Sequence, residues 1–178
     1  TGVAASYLHL GYVAAPGCIF KGLRKLPPGT LLSVEDGQVR EWRYWRLPQR
    51  IEAGVSEQAW ISRIRARLEE SVRMQMVSDV PIGAFLSGGV DSSAVVGYMA
   101  RHCAQPIRTY AIGFQGGAAE ALYNELPYAQ RVARLFGTTH REILVKPDVV
   151  SLLPKLLWHM DEPLADTAFI TTFLVSQF

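Results

Sequence analysis

The chain has 178 residues, 49% of them hydrophobic and 19% charged, with a net charge of +2; this is a globular balance, enough for one sizeable core or for one domain and a piece of another. No apolar run reaches the ~20 residues of a bilayer span, and so small a charge argues against a dedicated nucleic-acid binder, so neither a membrane nor nucleic acid is expected as a partner. The two cysteines, Cys18 and Cys103, are too few for a disulfide framework and too far apart for a zinc or C-x-x-C site; free thiols in a reducing cytoplasm are expected, with Cys18 an ordinary buried one.

SYLHLGYV, 6–13, reads as a short helix. Pro27-Pro28-Gly29 is punctuation, and TLLSVEDGQVREWRYW, 30–45, reads as a β-hairpin turning at Asp36-Gly37. The polar stretch 47–54 is a connector. Ser56 is placed to cap a helix on which Trp60, Ile61, Ile64, Leu68, Val72 and Met76 form an apolar stripe, expected to be core. The arginines between Arg40 and Arg73 are interleaved with acids, as on a solvated surface, and Glu69 and Arg73 stand at pairing distance along that helix.

An alternation follows. PIGAFL, 81–86, is a short strand; Ser92 to His102 is a helix, with Ala94 and Gly97 small enough to approach a sheet closely. IRTYAIGF, 107–114, is a second strand. Glu125 to Phe136 is a second helix capped by Gly137, HREILV, 140–145, is a third strand, and Val149 to Met160 is a further helix. Strand and helix in alternation imply an open α/β domain built on a parallel sheet.

In such sheets ligands bind beyond the carboxyl ends of the strands. Between the first strand and its helix lies S-G-G-V-D-S-S, 87–93. Gly88 and Gly89 allow backbone N–H groups to turn toward a phosphate at a helix N-terminus, and Ser87, Ser92 and Ser93 can add hydroxyl donors. Asp91 would repel phosphate unless a divalent cation lies between them, and Mg²⁺ is held in that way. A Walker A loop lacks its lysine here, and a dinucleotide fingerprint needs separated glycines. His9, His102, His140 and His159 are scattered, with no pair at ligand spacing.

SGGVDSS resembles the pyrophosphate loop (PP-loop) of the N-type ATP pyrophosphatases. The flanks narrow the resemblance: GYVAAPGCIFKGLRKLPPGTLL with RYWRLP, then TYAIGF, NELPYAQRVARLFGTTHREILV and MDEPLADTAFITTFLVS, are similar to glutamine-hydrolysing asparagine synthetases of the class II amidotransferase type. The resemblance covers nearly the whole chain. It implies a Rossmann-like fold of the adenine nucleotide α-hydrolase kind, preceded by the β-hairpin end of an N-terminal-nucleophile glutaminase domain. Residues 1–46 would close the glutaminase domain, 47–55 would link, and 56–178 would begin the synthetase domain.

By the same resemblance, Leu86, Ser87, Gly88, Gly89, Val90, Asp91, Ser92 and Ile112 form the ATP and pyrophosphate site. Ser87, Asp91 and Ser92 take part in catalysis, Asp91 as the Mg²⁺ ligand; Leu86 and Ile112, at the ends of two strands, meet the nucleoside through their backbones or are simply strand core. Glu125, Asp161, Glu162 and Asp166 either border the substrate pocket or cap helices and shape loops. The implied reaction joins aspartate and ATP as β-aspartyl-AMP, releases pyrophosphate, and amidates the acyl group with ammonia from glutamine. In that family the glutaminase cysteine is the first residue of the mature chain, so Cys18 is not it, and an S-G-E-G-x-D-E segment lies further on. Lacking both, the chain reads as a fragment cut at each end and unable to react alone, with exposed patches favouring association, up to a homodimer. A related ligase acting on another carboxylate, and a non-catalytic adenine-nucleotide module, also fit the loop.

Overall fold

A computed structural model describes residues 2–49, 51–115, 124–146 and 148–177. The chain divides into two compact units, one of residues 1–53 with 150–169 and one of 54–149 with 170–178.

The first unit begins with helix α1 (Gly2–Leu10), longer at its start than the sequence suggests. Strands β1 (Thr30–Glu35) and β2 (Gln38–Arg43) pair antiparallel from Thr30↔Arg43 to Glu35↔Gln38. Their two-residue turn is the one expected: Asp36 and Gly37 both take positive φ, 50° and 75°, the combination whose twist matches a hairpin. The Gly29 carbonyl accepts from the Tyr44 and Trp45 N–H groups at 2.9 and 3.1 Å and closes the hairpin base. A Cβ on Gly29 would lie 2.4 Å from the Trp45 carbonyl oxygen, so only glycine fits. Cys18 is half-buried rather than buried. It lies in the 11–29 segment between α1 and β1, which itself carries no helix or strand.

The second unit carries the alternating elements. Helix α2 (Glu57–Gln75) starts where Ser56 predicts, the Ser56 Oγ accepting from the Ala59 N–H at 3.3 Å. Next come β3 (Gly83–Phe85), α3 (Val90–His102), β4 (Arg108–Phe114), α4 (Leu126–Phe136) and β5 (Thr139–Val145). The three strands form one parallel sheet in the order β3-β4-β5, with Gly83↔Arg108 and Arg108↔Thr139 in register. This is the open α/β arrangement that the strand–helix alternation implies. β3 is shorter than the apolar run 81–86, because Pro81 has no N–H for a ladder. Beyond it, Leu86 still donates its N–H to the Tyr110 carbonyl at 2.8 Å. In chain order α5 (Val149–Met160) follows, lying in the first unit from residue 150 on, and α6 (Ala168–Ser176) belongs to the second from residue 170 on.

Leu86, Val96, Ala111, Leu126, Ala129 and Ala133 make one core cluster, and Val72, Met99 and Ile107 another. Helix α3 serves both, Val96 facing the first and Met99 the second. Only the later turns of the α2 stripe join in: Leu68, Val72 and Met76 pack, while Trp60 and Ile64 stay 40% and 60% exposed. The sheet and α3 are reached only by the C-terminal half of α2. Glu69 likewise turns away from Arg73 and toward α3, where its carboxylate accepts from His102 Nε2 at 3.0 Å and lies 3.6 Å from Arg101. Gly97 makes a close approach, but to helix α4 and not to the sheet: a Cβ there would meet the Phe136 ring at 2.9 Å. Gly137, at φ 63°, ends α4 in the left-handed cap expected of it.

One polar chain pins the starts of β4 and β5. Thr109 is fully buried. Its Oγ1 accepts from the Thr138 hydroxyl at 2.7 Å and donates to His140 Nδ1 at 2.9 Å, while His140 Nε2 donates to Glu142 at 3.2 Å. Gln130 of α4 donates to the other Glu142 oxygen at 3.0 Å, so every member is satisfied.

Candidate nucleotide site

Residues 86–92 connect the carboxyl end of β3 to α3, as the sequence predicts. The helix begins at Val90, two residues earlier than the apolar pattern suggests, with Gly89 as its N-cap. Gly89 offers no side-chain cap. The first-turn N–H groups of α3, those of Val90, Asp91 and Ser92, therefore point out of the helix end with its partial positive charge. Gly88 takes φ 82°, a left-handed conformation in which a side chain is strained. It also lies against α4: a Cβ would sit 2.5 Å from the Tyr128 carbonyl carbon and 2.6 Å from the Ala129 nitrogen. The glycine is thus required twice, by its own backbone and by its neighbour.

The two serines hold the turn rather than reach outward. Ser87 Oγ accepts from the Gly89 N–H at 3.2 Å and lies 2.9 Å from Ser92 Oγ, which donates to the Gly89 carbonyl at 3.3 Å. One proton order satisfies all three contacts, with Ser87 donating to Ser92 and Ser92 donating to Gly89. Both hydroxyl protons are then used inside the loop. Ser93 Oγ is buried and meets no partner among the described residues, so it is turned inward as well. The donors left for an anion are backbone amides.

Asp91 is exposed in the first turn of α3. Among the described residues no group of three histidine, cysteine, aspartate or glutamate side chains is placed to hold a metal by itself. A single carboxylate beside a cradle of amides suits Mg²⁺, which takes one or two carboxylates and completes its shell with phosphate oxygens and water. The residues present fit that ion.

A cavity of about 260 Å³ adjoins the loop at Leu86 and Ser87. Along β4, Tyr110, Ile112 and Phe114 border it as alternate residues on one half-buried face. Ile112 is therefore interior to β4, paired with Ile143, and not at the strand end as the resemblance implies. Leu86 is 1% exposed and packs in the core, consistent with a backbone role only. Glu125, at the N-cap of α4, borders the cavity too. Tyr110 and Phe114 could have been found from the two-residue period around Ile112. Thr171, Thr172 and Val175 of α6 also line it and carry no signal in the sequence, because only the fold brings them there.

The acids 161–166 belong to the first unit. Glu162 forms an ion pair with Lys25 and accepts from the Ile19 N–H at 3.4 Å. The hydrogen bond from Lys25 holds the Glu162 carboxyl below the ordinary carboxylate range, burial opposes this, and the Ile19 N–H and the Lys25 charge add to the lowering. Asp166 accepts from the Ala168 N–H at 2.9 Å and so caps α6. Asp161 is exposed at φ 59°. Capping and loop shaping thus account for Glu162 and Asp166 without a ligand.

Residues 63–178 match the family model described as asparagine synthase. The chain belongs to the asparagine synthase family. It is similar to a putative glutamine-hydrolysing asparagine synthetase 2 of Methanocaldococcus jannaschii, 34% identical over 96% of this chain and 33% of the relative. The glutamine-hydrolysing asparagine synthetase 1 of Bacillus subtilis is 29% identical over 96% of the chain and 26% of its own length. Asparagine synthetase B of Escherichia coli is 29% identical over 70% of the chain and 24% of its own length. The chain spans about a quarter to a third of the length of the curated relatives it matches, from 24% to 33% in these three. Among the described residues no helix is long and apolar enough to cross a membrane.

Proposed function

We propose that the chain supplies the pyrophosphate-binding part of a ligase of the glutamine-hydrolysing asparagine synthetase type. The observation that carries this reading is the loop: Gly88 at φ 82°, closed against α4, ahead of a helix end whose amides lack a side-chain cap. Family membership supports the substrates, which are ATP, aspartate and glutamine. The catalytic-cysteine region and the S-G-E-G-x-D-E segment belong to other parts of the polypeptide in this reading, and the 178-residue stretch alone does not complete the reaction. The working compartment is the cytoplasm.

The chemical difficulty is charge. A carboxylate must approach the α-phosphorus of a polyanion, and the leaving pyrophosphate gathers further charge. Oriented amides at the α3 N-terminus lower that barrier because they need no reorganisation as charge develops. Ser87 and Ser92 act by holding those amides in place. Asp91 would hold Mg²⁺, which when bound neutralises charge on phosphate oxygens. The product of the first step is β-aspartyl-AMP, and ammonia from glutamine then displaces AMP to give asparagine. Glu125 is kept as a candidate at the substrate pocket because it borders the cavity. For Asp161, Glu162 and Asp166 a role in loop shape is the stronger reading.

The test is pyrophosphate release from ATP by the full-length protein, with asparagine measured as product. Release that requires aspartate is expected. ATP turnover indifferent to aspartate, or its absence, would remove the proposal.

A further inference from the structure

The first unit joins two stretches that lie far apart in the chain. Residues 1–53 carry the hairpin, and residues 150–169 fall inside the stretch that matches the asparagine synthase model. The two meet along a seam formed by residues 11–25 and 160–165. Gly11, at φ 77°, accepts through its carbonyl from the Ala165 N–H at 2.8 Å, and a Cβ on Gly11 would lie 3.3 Å from that of Ala165. Lys25 Nζ donates to the Val13 carbonyl and pairs with Glu162, which also accepts from the Ile19 N–H at 3.4 Å. Apolar packing is incomplete here: a cavity of about 280 Å³ is bordered by Tyr12 and Val13 of one stretch and Met160, Pro163 and Leu164 of the other. Directional polar contacts therefore carry the seam, and they can loosen without unfolding the unit. Just past it, Asp166 caps α6 through the Ala168 N–H at 2.9 Å.

We infer that Lys25 and Glu162 are positioning residues that couple glutamine hydrolysis to amide formation. The inference rests on the ligase reading above, in which residues 1–46 close the glutaminase domain. The seam is then where that domain grips the segment feeding α6, and each half senses the other through it. Ammonia is useful only while an activated carboxylate waits, because ammonia released early takes up a proton and loses its nucleophilic lone pair. A seam that holds keeps the two steps in register. A loosened one lets hydrolysis run ahead.

Full-length protein, assayed well below its unfolding midpoint, is given ammonium chloride or glutamine as nitrogen source. Asparagine is measured in both assays, and glutamate per asparagine in the second. In Lys25→Met and in Glu162→Gln, glutamate per asparagine rises about threefold, the order set by one partly exposed ion pair. Ammonium-supported synthesis stays within about twofold of wild type, which also certifies the fold. Lys25→Arg keeps the charge and the donors and holds the wild-type ratio. An unchanged ratio in both neutral variants overturns the inference. A parallel loss of both activities, which a purely structural pair would give, overturns it too. Wild-type protein that uses ammonium but not glutamine overturns it while the ligase reading stands. Asparagine from neither source overturns both.

Discussion

Gly88 and Tyr128 are in contact through backbone: any Cβ on Gly88 would lie 2.5 Å from both the carbonyl carbon and the Cβ of Tyr128. The loop is thereby tied to the first turn of α4, and its shape depends on a helix reached 40 residues later in the chain. Gly88→Ala should cost at least about 2 kcal/mol, combining left-handed strain with overpacking against backbone that cannot move aside. Chemical denaturation measures this. Any variant protein that stays folded should bind ATP at least about tenfold more weakly, since displaced amides no longer converge.

Asp91 separates ion binding from folding. Its side chain is exposed, so Asp91→Asn should change stability by no more than about 0.5 kcal/mol. ATP affinity measured with Mg²⁺ should fall about tenfold or more, whereas affinity measured in chelator should not fall. Equal affinity in both media for the wild type would remove the metal from the account.

The Lys25–Glu162 pair makes the first unit sensitive to acid. Its carboxyl is held below its ordinary value of 4.5 in the folded chain. The stabilisation is therefore fully present above that value and disappears as pH falls through the lowered one. Thermal unfolding midpoints should drop as pH falls below the ordinary carboxylate value of 4.5, and Lys25→Met should lower the neutral-pH midpoint while flattening that acid limb. A variant with an unaltered acid limb would assign the sensitivity elsewhere.

Thr109 anchors the β4–β5 pairing from a fully buried position. Thr109→Val keeps the volume but strands the Thr138 hydroxyl and His140 Nδ1, costing about 1–3 kcal/mol in urea unfolding. Thr109→Ser keeps the hydroxyl and should cost less, limited to a lost methyl of about 1 kcal/mol. Equal losses would mean that packing, and not the polar chain, holds the strand starts.

Local chemistry made much of this legible. Asp36-Gly37 announces its turn, Ser56 its cap and Gly137 its stop, because each acts on its immediate neighbours. The loop between β3 and α3 is legible for the same reason. What depends on distant packing is not: the outer stripe of α2 finds no cover, Glu69 chooses α3 over its own helix, and Gly97 meets Phe136. The serines illustrate the limit within the site. Their composition suggests phosphate donors, but Ser87 and Ser92 spend their protons on the loop, and Ser93 turns inward. Thr171 and Thr172 reach the cavity only through the fold.

Selective labelling tests the central claim most directly. With the protein's glycines ¹⁵N-labelled, pyrophosphate is titrated in the presence of Mg²⁺ and the amide resonances are followed. The account predicts saturable shifts of Gly88 and Gly89, which lead directly into the first-turn amides of α3 that meet the anion, with Gly29 and Gly137 unmoved. Gly88 and Gly89 resonances that stay still at saturating pyrophosphate would contradict it.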